Sequence, residues 1–190
     1  MLPLEILVAE LLVNHCMPTL LKVKPATMIS VKLKDIPEQD GFYKVLCRFA
    51  GRYQCCCYLL YEGKARLYYM IYQEDNLREC LLSEKNKSFL ISRCYQYQEF
   101  NVNERILEQL KYRYNRYFYT GKEFPHEMGV MLGYPLADVE GFIINQGRNY
   151  LLCGMWKVYQ DVDTASRLFA LYRKMREDAK HQLTEGTIFK

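Results

Sequence analysis

"RYQCCCYLLYEGKARLYYMIYQ", residues 52–73, sets two apolar, tyrosine-rich runs on either side of the turn Glu62-Gly63-Lys64. Tyrosine suits a strand because its ring packs on the pleated surface while its hydroxyl reaches water. Two such runs about a short glycine-containing turn predict a β-hairpin. Upstream, "TMISVKL" (27–33) reads as a further short strand. These strands are local and the remaining periodicity is helical, so the expected class is α+β, with a small antiparallel sheet packed by helices.

Working outward, Leu4, Leu7, Val8, Leu11 and Leu12 follow helical spacing, with Pro3 near the first turn and Pro18 beyond the end. Phe42, Val45, Leu46 and Phe49 have the same spacing and favour a helix over 36–50. Asp35 would cap that helix, Pro37 would sit in its first turn, and Gly51 would end it. "DNLRECLL" and "NKSFLISRC" read as short helices, and "VNERILEQLKYRYNRYFY" (102–119) as a long one with Ile106, Leu107, Leu110, Tyr114 and Tyr117 on its apolar side. Residues 123–143, "EFPHEMGVMLGYPLADVEGFI", read as two short helices folded about a tight turn at Gly133, with Gly129 allowing a close crossing. The loop "NQGRN", an extended run "LLCGMWKVY", and a last helix capped by Asp161 or Asp163 follow. No repeat and no Gly/Ser-rich linker interrupts the chain, which reads as a single domain over 1–190 with a weak seam near 100–104.

Composition narrows the class without naming an activity. Half of the 190 residues are hydrophobic and a quarter charged, which is globular rather than disordered. The net charge of +4 is modest, so the placement of basic residues matters more than their total. "MLPLEILVAELLVNHC" has no basic leader, its apolar run is broken by Glu5 and Glu10, and it is too short to span a bilayer. The expectation is a cytoplasmic protein with eight reduced cysteines and no membrane association. Cys55, Cys56 and Cys57 alternate faces on a strand, and no C-x-x-C pair occurs, so no metal site is expected.

"FPHEMGVMLGYPLADVEGFI" (124–143) with "GRNYLLCGMWKVYQD" (147–161), and "HCMPTLLKVKPATM" (15–28), resemble the two signatures of an uncharacterised bacterial family, domain of unknown function 3793. The resemblance spans essentially the whole chain and implies a shared fold but no activity. Two departures stand out. Lys22 occupies a place where a small residue such as glycine is expected, and "YRKMREDAKHQ" (172–182) lacks the cysteines that relatives carry there.

Several candidate sites follow from residue chemistry. The 123–143 hairpin has helix-turn-helix spacing, with Val139 and Ile143 on the second helix. It carries Glu123, Glu127, Asp138 and Glu140 and no lysine or arginine, and an exposed face of Ala137, Asp138 and Glu140 would repel a DNA backbone. His126-Glu127 begins a zinc-protease pattern that Val130 breaks, which leaves His126 as a candidate general acid or base. Cys16 beside His15, with Lys24 nearby, is a candidate nucleophile for group transfer. Arg148, Asn149, Trp156 and Lys157, joined by Thr19 and Lys24, are candidate ligands for a small anion. Lys111, Arg113, Arg116 and Lys122 alternate with tyrosines, as on a surface that stacks single-stranded nucleic acid, although Glu104 and Glu108 offset the charge. The favoured reading is a module for a small anion or cofactor, or for a protein partner. A Cys16- or His126-dependent enzyme is the alternative, and nucleic-acid binding is the less favoured third. No particular cofactor is indicated.

Overall fold

The computed structural model describes residues 2–36, 38–98 and 100–189. The chain is α+β and forms two compact units, Met1–Asn76 with Lys174–Lys190, and Leu77–Arg173.

In the first unit, α1 (Pro3–His15) and the single turn α2 (Met17–Leu20) lead into β1 (Ala26–Lys32). Helix α3 (Gln39–Gly51) follows, then the hairpin of β2 (Cys55–Glu62) and β3 (Arg66–Gln73). The hairpin places β3 centrally in an antiparallel sheet of order β1-β3-β2, with Ile29 opposite Tyr69 and Cys57 opposite Ile71. Val8, Leu12, Phe42, Leu46 and Phe49 from the helices pack with Ile29, Val31, Tyr69 and Ile71 as one core. Phe189, near the chain end, stacks on Phe49 at 5.0 Å. Asp35 does not cap α3. It closes a 3-10 turn over Leu33–Asp35, and Glu38 is the N-cap. Pro37 lies outside the described residues. Gly51 is the last helical residue rather than a left-handed terminator.

Lys22 explains its own departure from the expected glycine. It follows α2 with a φ of +62°, the left-handed conformation that suits glycine. The Val23 N–H donates to the Pro18 carbonyl at 2.8 Å and the Lys22 N–H to that of Thr19 at 3.0 Å, which is a Schellman C-terminus. A Cβ disfavours this conformation, and the exposed Lys22 Nζ to Gln54 Oε1 bond at 2.6 Å offsets little of that. Lys22→Gly is therefore expected to stabilise the protein by up to about 1 kcal/mol in thermal unfolding followed by far-UV circular dichroism. A clear loss of stability would show that the Gln54 bond outweighs the backbone term.

The second unit is mostly helical. It contains the greater part of α4 (Glu74–Leu82), then α5 (Glu84–Ser92), α6 (Val102–Thr120), the single turn α7 (Met128–Met131) and α8 (Leu136–Ile144). The expected extended run is instead a small hairpin of two two-residue strands, β4 (Leu152–Cys153) and β5 (Lys157–Val158). Helix α9 (Val162–Thr184) starts here and ends in the first unit. Its cap is Asp161, whose carboxylate accepts the Thr164 N–H at 3.0 Å. Gly133 makes the α7–α8 turn with φ +74°, and a Cβ on Gly129 would come within 2.9 Å of Val139. Both glycines thus act as their spacing implies, but α7 is a single turn, shorter than the first helix of a DNA reader. No helix among the described residues is long and apolar enough to cross a membrane.

Candidate functional site

The N-terminal signature is packed into the first unit. Cys16 and Thr19 are fully buried, whereas His15 is exposed, so the adjacent His-Cys pair does not form one site. Burial pushes the Cys16 thiol well above the ordinary cysteine range, with the charge of Lys24 a smaller opposing influence. Burial in turn draws the Lys24 amine down to about 8. The Thr19 hydroxyl shares a 2.8 Å hydrogen bond with that of Thr27, and the Thr19 carbonyl accepts the Cys55 thiol at 3.8 Å. At neutral pH this is a protonated thiol in a packed turn, poorly suited to attack an electrophile.

The C-terminal signature is built around Asp138. The expected place for this residue is an exposed face, but it is 4 % exposed. It stands in the first turn of α8, where the helix dipole favours a carboxylate. Its oxygens accept the Trp156 indole N–H at 2.7 Å, the Tyr159 N–H at 2.7 Å and the Gln160 N–H at 3.3 Å. Trp156 is held between the Tyr134 ring, stacked at 5.1 Å, and the edge of Phe169 at 4.5 Å. Lys157 Nζ donates to the Gly147 carbonyl at 2.7 Å and lies 4.8 Å from the centre of the Tyr150 ring. Trp156 and Lys157 are thus engaged internally, while Arg148 and Asn149 are exposed on the preceding loop. His126 is also exposed, its ring between those of Phe124 and Phe142, each at 4.9 Å. Partial burial lowers its pKa, and the neighbouring Glu127 only partly opposes that.

An open cleft of about 760 Å³ lies over the polar face of α6. Arg105, Glu108, Gln109, Tyr112, Arg113 and Arg116 recur at helical spacing along it, and the segments after α5 and before α7 complete the walls with Arg93 and Glu127. Glu127 is buried and receives Arg113 at 3.3 Å and the Tyr95 hydroxyl at 3.2 Å. Arg113 also donates to the Arg93 carbonyl at 2.6 Å, and its guanidinium stacks 4.3 Å from the centre of the Tyr95 ring. This arginine is therefore fixed before any ligand arrives. Arg116 pairs loosely with exposed Glu123 at 3.5 Å. Arg105 contacts Glu108 at 3.7 Å and Gln96 at 3.1 Å, while its buried Nε has no acceptor among the described residues. Arg93 lies over the Phe89 ring at 5.4 Å and has no carboxylate partner among the described residues. In sequence, Arg113 and Arg116 belong to the tyrosine-interleaved basic stripe. Adding Arg105 at the same helical spacing would have pointed to the cleft floor. Nothing local marks Arg93 or Glu127. Among the described residues no cluster of three or more His, Cys, Asp or Glu side chains stands ready for a metal.

No curated protein and no solved structure matches the chain. A family model described as "Protein of unknown function (DUF3793)" matches residues 12–190, which takes in α3, the three-stranded sheet, the Asp138 clamp and the arginine cleft. The sequence signatures at both ends and a match over nearly the whole chain lead to one conclusion: the protein belongs to the DUF3793 family.

Proposed function

We propose that the protein is a binding module for a small anion, and that the ligand enters the cleft over α6. One observation carries this reading: four arginines, Arg93, Arg105, Arg113 and Arg116, line one open cavity. Guanidinium groups match phosphate and carboxylate oxygens two at a time, so Arg93 and Arg105 supply donors that a phosphate would accept. Arg113, stacked on Tyr95 and bonded to the Arg93 carbonyl, adds a donor array that loses little freedom on binding. Four arginines against Glu108, Glu123 and Glu127 leave one net positive charge in the lining, which favours a compact anion over a long polyanion. Tyr112 and Phe124 offer ring surface for an apolar portion of the ligand.

Titration calorimetry and thermal shift with inorganic phosphate, pyrophosphate and adenosine diphosphate test the reading. A saturable rise in melting temperature with at least one is expected, because binding to the native state adds stability. Arg105→Ala should weaken that binding by about tenfold, the loss of one charge-assisted hydrogen bond, while Arg148→Ala outside the cleft should leave it unchanged. No response across the panel, or equal loss in both variants, would remove the cleft from consideration. Retention of a single-stranded oligonucleotide with a steep salt dependence would instead favour the nucleic-acid reading.

A further inference from the structure

A second chemical cluster lies in the first unit, where α3 meets β2. Tyr43 and Cys47 are one turn apart on α3, and Cys57 stands opposite them on β2, an edge strand of the sheet. The Tyr43 hydroxyl donates to the Cys57 carbonyl at 3.2 Å, and Cys47, four residues further along the same face of α3, lies beside Cys57, so that each thiol influences the ionisation of the other. Tyr43 is 38 % exposed and both cysteines are half-buried, so the pair is open to a small solute. We propose that Cys47 and Cys57 are a peroxide-reactive thiol pair that closes to an intramolecular disulfide.

The environment assigns the two roles. The hydrogen bond from Cys57 draws the Cys47 thiol down to about 7 against the effect of burial, and Tyr43 assists. The same contact and burial push Cys57 far up, so it stays protonated. The Cys47 thiolate attacks one peroxide oxygen: a sulfur–oxygen bond forms, the oxygen–oxygen bond breaks, and the departing hydroxide takes up a proton to become water. The sulfur loses two electrons and the peroxide gains them. The Cys57 sulfur then attacks the sulfenic sulfur of Cys47. A sulfur–sulfur bond forms, the sulfur–oxygen bond breaks, and the Cys57 proton leaves with the hydroxide as a second water. The other thiols of this unit lack these conditions. Cys16 is fully buried, the Cys55 thiol is pushed up to about 12 by burial, and Cys56 points to the other face of the strand.

Peptide mapping without reductant, after the full-length reduced protein has met equimolar hydrogen peroxide at neutral pH, tests the pair. Trypsin releases Cys47 on residues 45–48 and the three strand cysteines together on 53–64, so fragment ions assign the partner. The expected product is a Cys47–Cys57 cross-link, with both thiols lost together from alkylation. Cys57→Ser should stop at a Cys47 sulfenic acid that dimedone traps, Cys47→Ser should leave Cys57 reduced, and Cys56→Ser should react as the unaltered protein does. Linkage of Cys47 to Cys55 or Cys56 would overturn the proposal. So would oxidation confined to the exposed Cys94 and Cys153. Should a serine variant fail to fold, the cross-link map of the unaltered protein still separates these outcomes.

Discussion

Asp138→Ala is expected to destabilise the second unit by about 3–5 kcal/mol, the largest effect of any single substitution considered. Alanine would leave the buried Trp156 indole N–H without its acceptor and would also remove the acceptor of the part-buried Tyr159 and Gln160 N–H groups. Each buried donor without an acceptor costs about 1–3 kcal/mol, and the favourable charge at the start of α8 is lost as well. Asp138→Asn keeps one carbonyl oxygen but sets an N–H₂ against a donor, and about half the loss is expected. Trp156 is the only tryptophan in the chain, so its emission in a urea titration reports the unfolding of this unit directly. A midpoint shift equivalent to less than about 1 kcal/mol for Asp138→Ala would mean that other groups or water satisfy these donors. The clamp would then not be what fixes the β4–β5 hairpin against α8.

The contrast between what the chain announces and what it conceals follows from range. The β2–β3 hairpin is readable because pairing and turn lie within 22 residues and each reinforces the other. The apolar stripe of α6, the Asp161 cap and the two glycines of the α7–α8 turn are likewise local signals. Asp138 escapes such reading because an acidic residue in sequence carries no mark of burial. Its partners stand 18, 21 and 22 positions away, on a hairpin that its own hydrogen bonds help to hold. Glu127 counts in sequence among the acidic residues that oppose DNA binding, although its main role is internal, toward Arg113 and Tyr95. The floor of the arginine cleft is legible as a helical repeat, but the walls come from loops whose approach no spacing encodes. Lys22 is the instructive intermediate case. The departure from glycine is visible in sequence, and only the left-handed backbone supplies its meaning.

Arg113→Met is expected to cost about 2–3 kcal/mol in the same fluorescence-detected titration, because it strands the Glu127 carboxylate in a buried position. The figure sits below that of a fully buried pair because the Arg113 side chain keeps 30 % of its exposure, which lets water screen part of the interaction. Glu127→Gln alone should cost less, since the amide oxygen can still accept from Tyr95 while Arg113 turns toward solvent. The double variant should be more stable than the sum of the two losses by about 1 kcal/mol or more, because the carboxylate that Arg113→Met strands is no longer present. Additive losses would show that the ion pair contributes nothing beyond packing on Tyr95. The same variants also separate stability from binding. Glu127→Gln frees the Arg113 guanidinium from its internal partner, so phosphate affinity should rise as stability falls, whereas Arg113→Met should lower both. If affinity and stability instead fall together in both variants, Glu127 organises the cleft by holding Arg113 in place rather than competing for it.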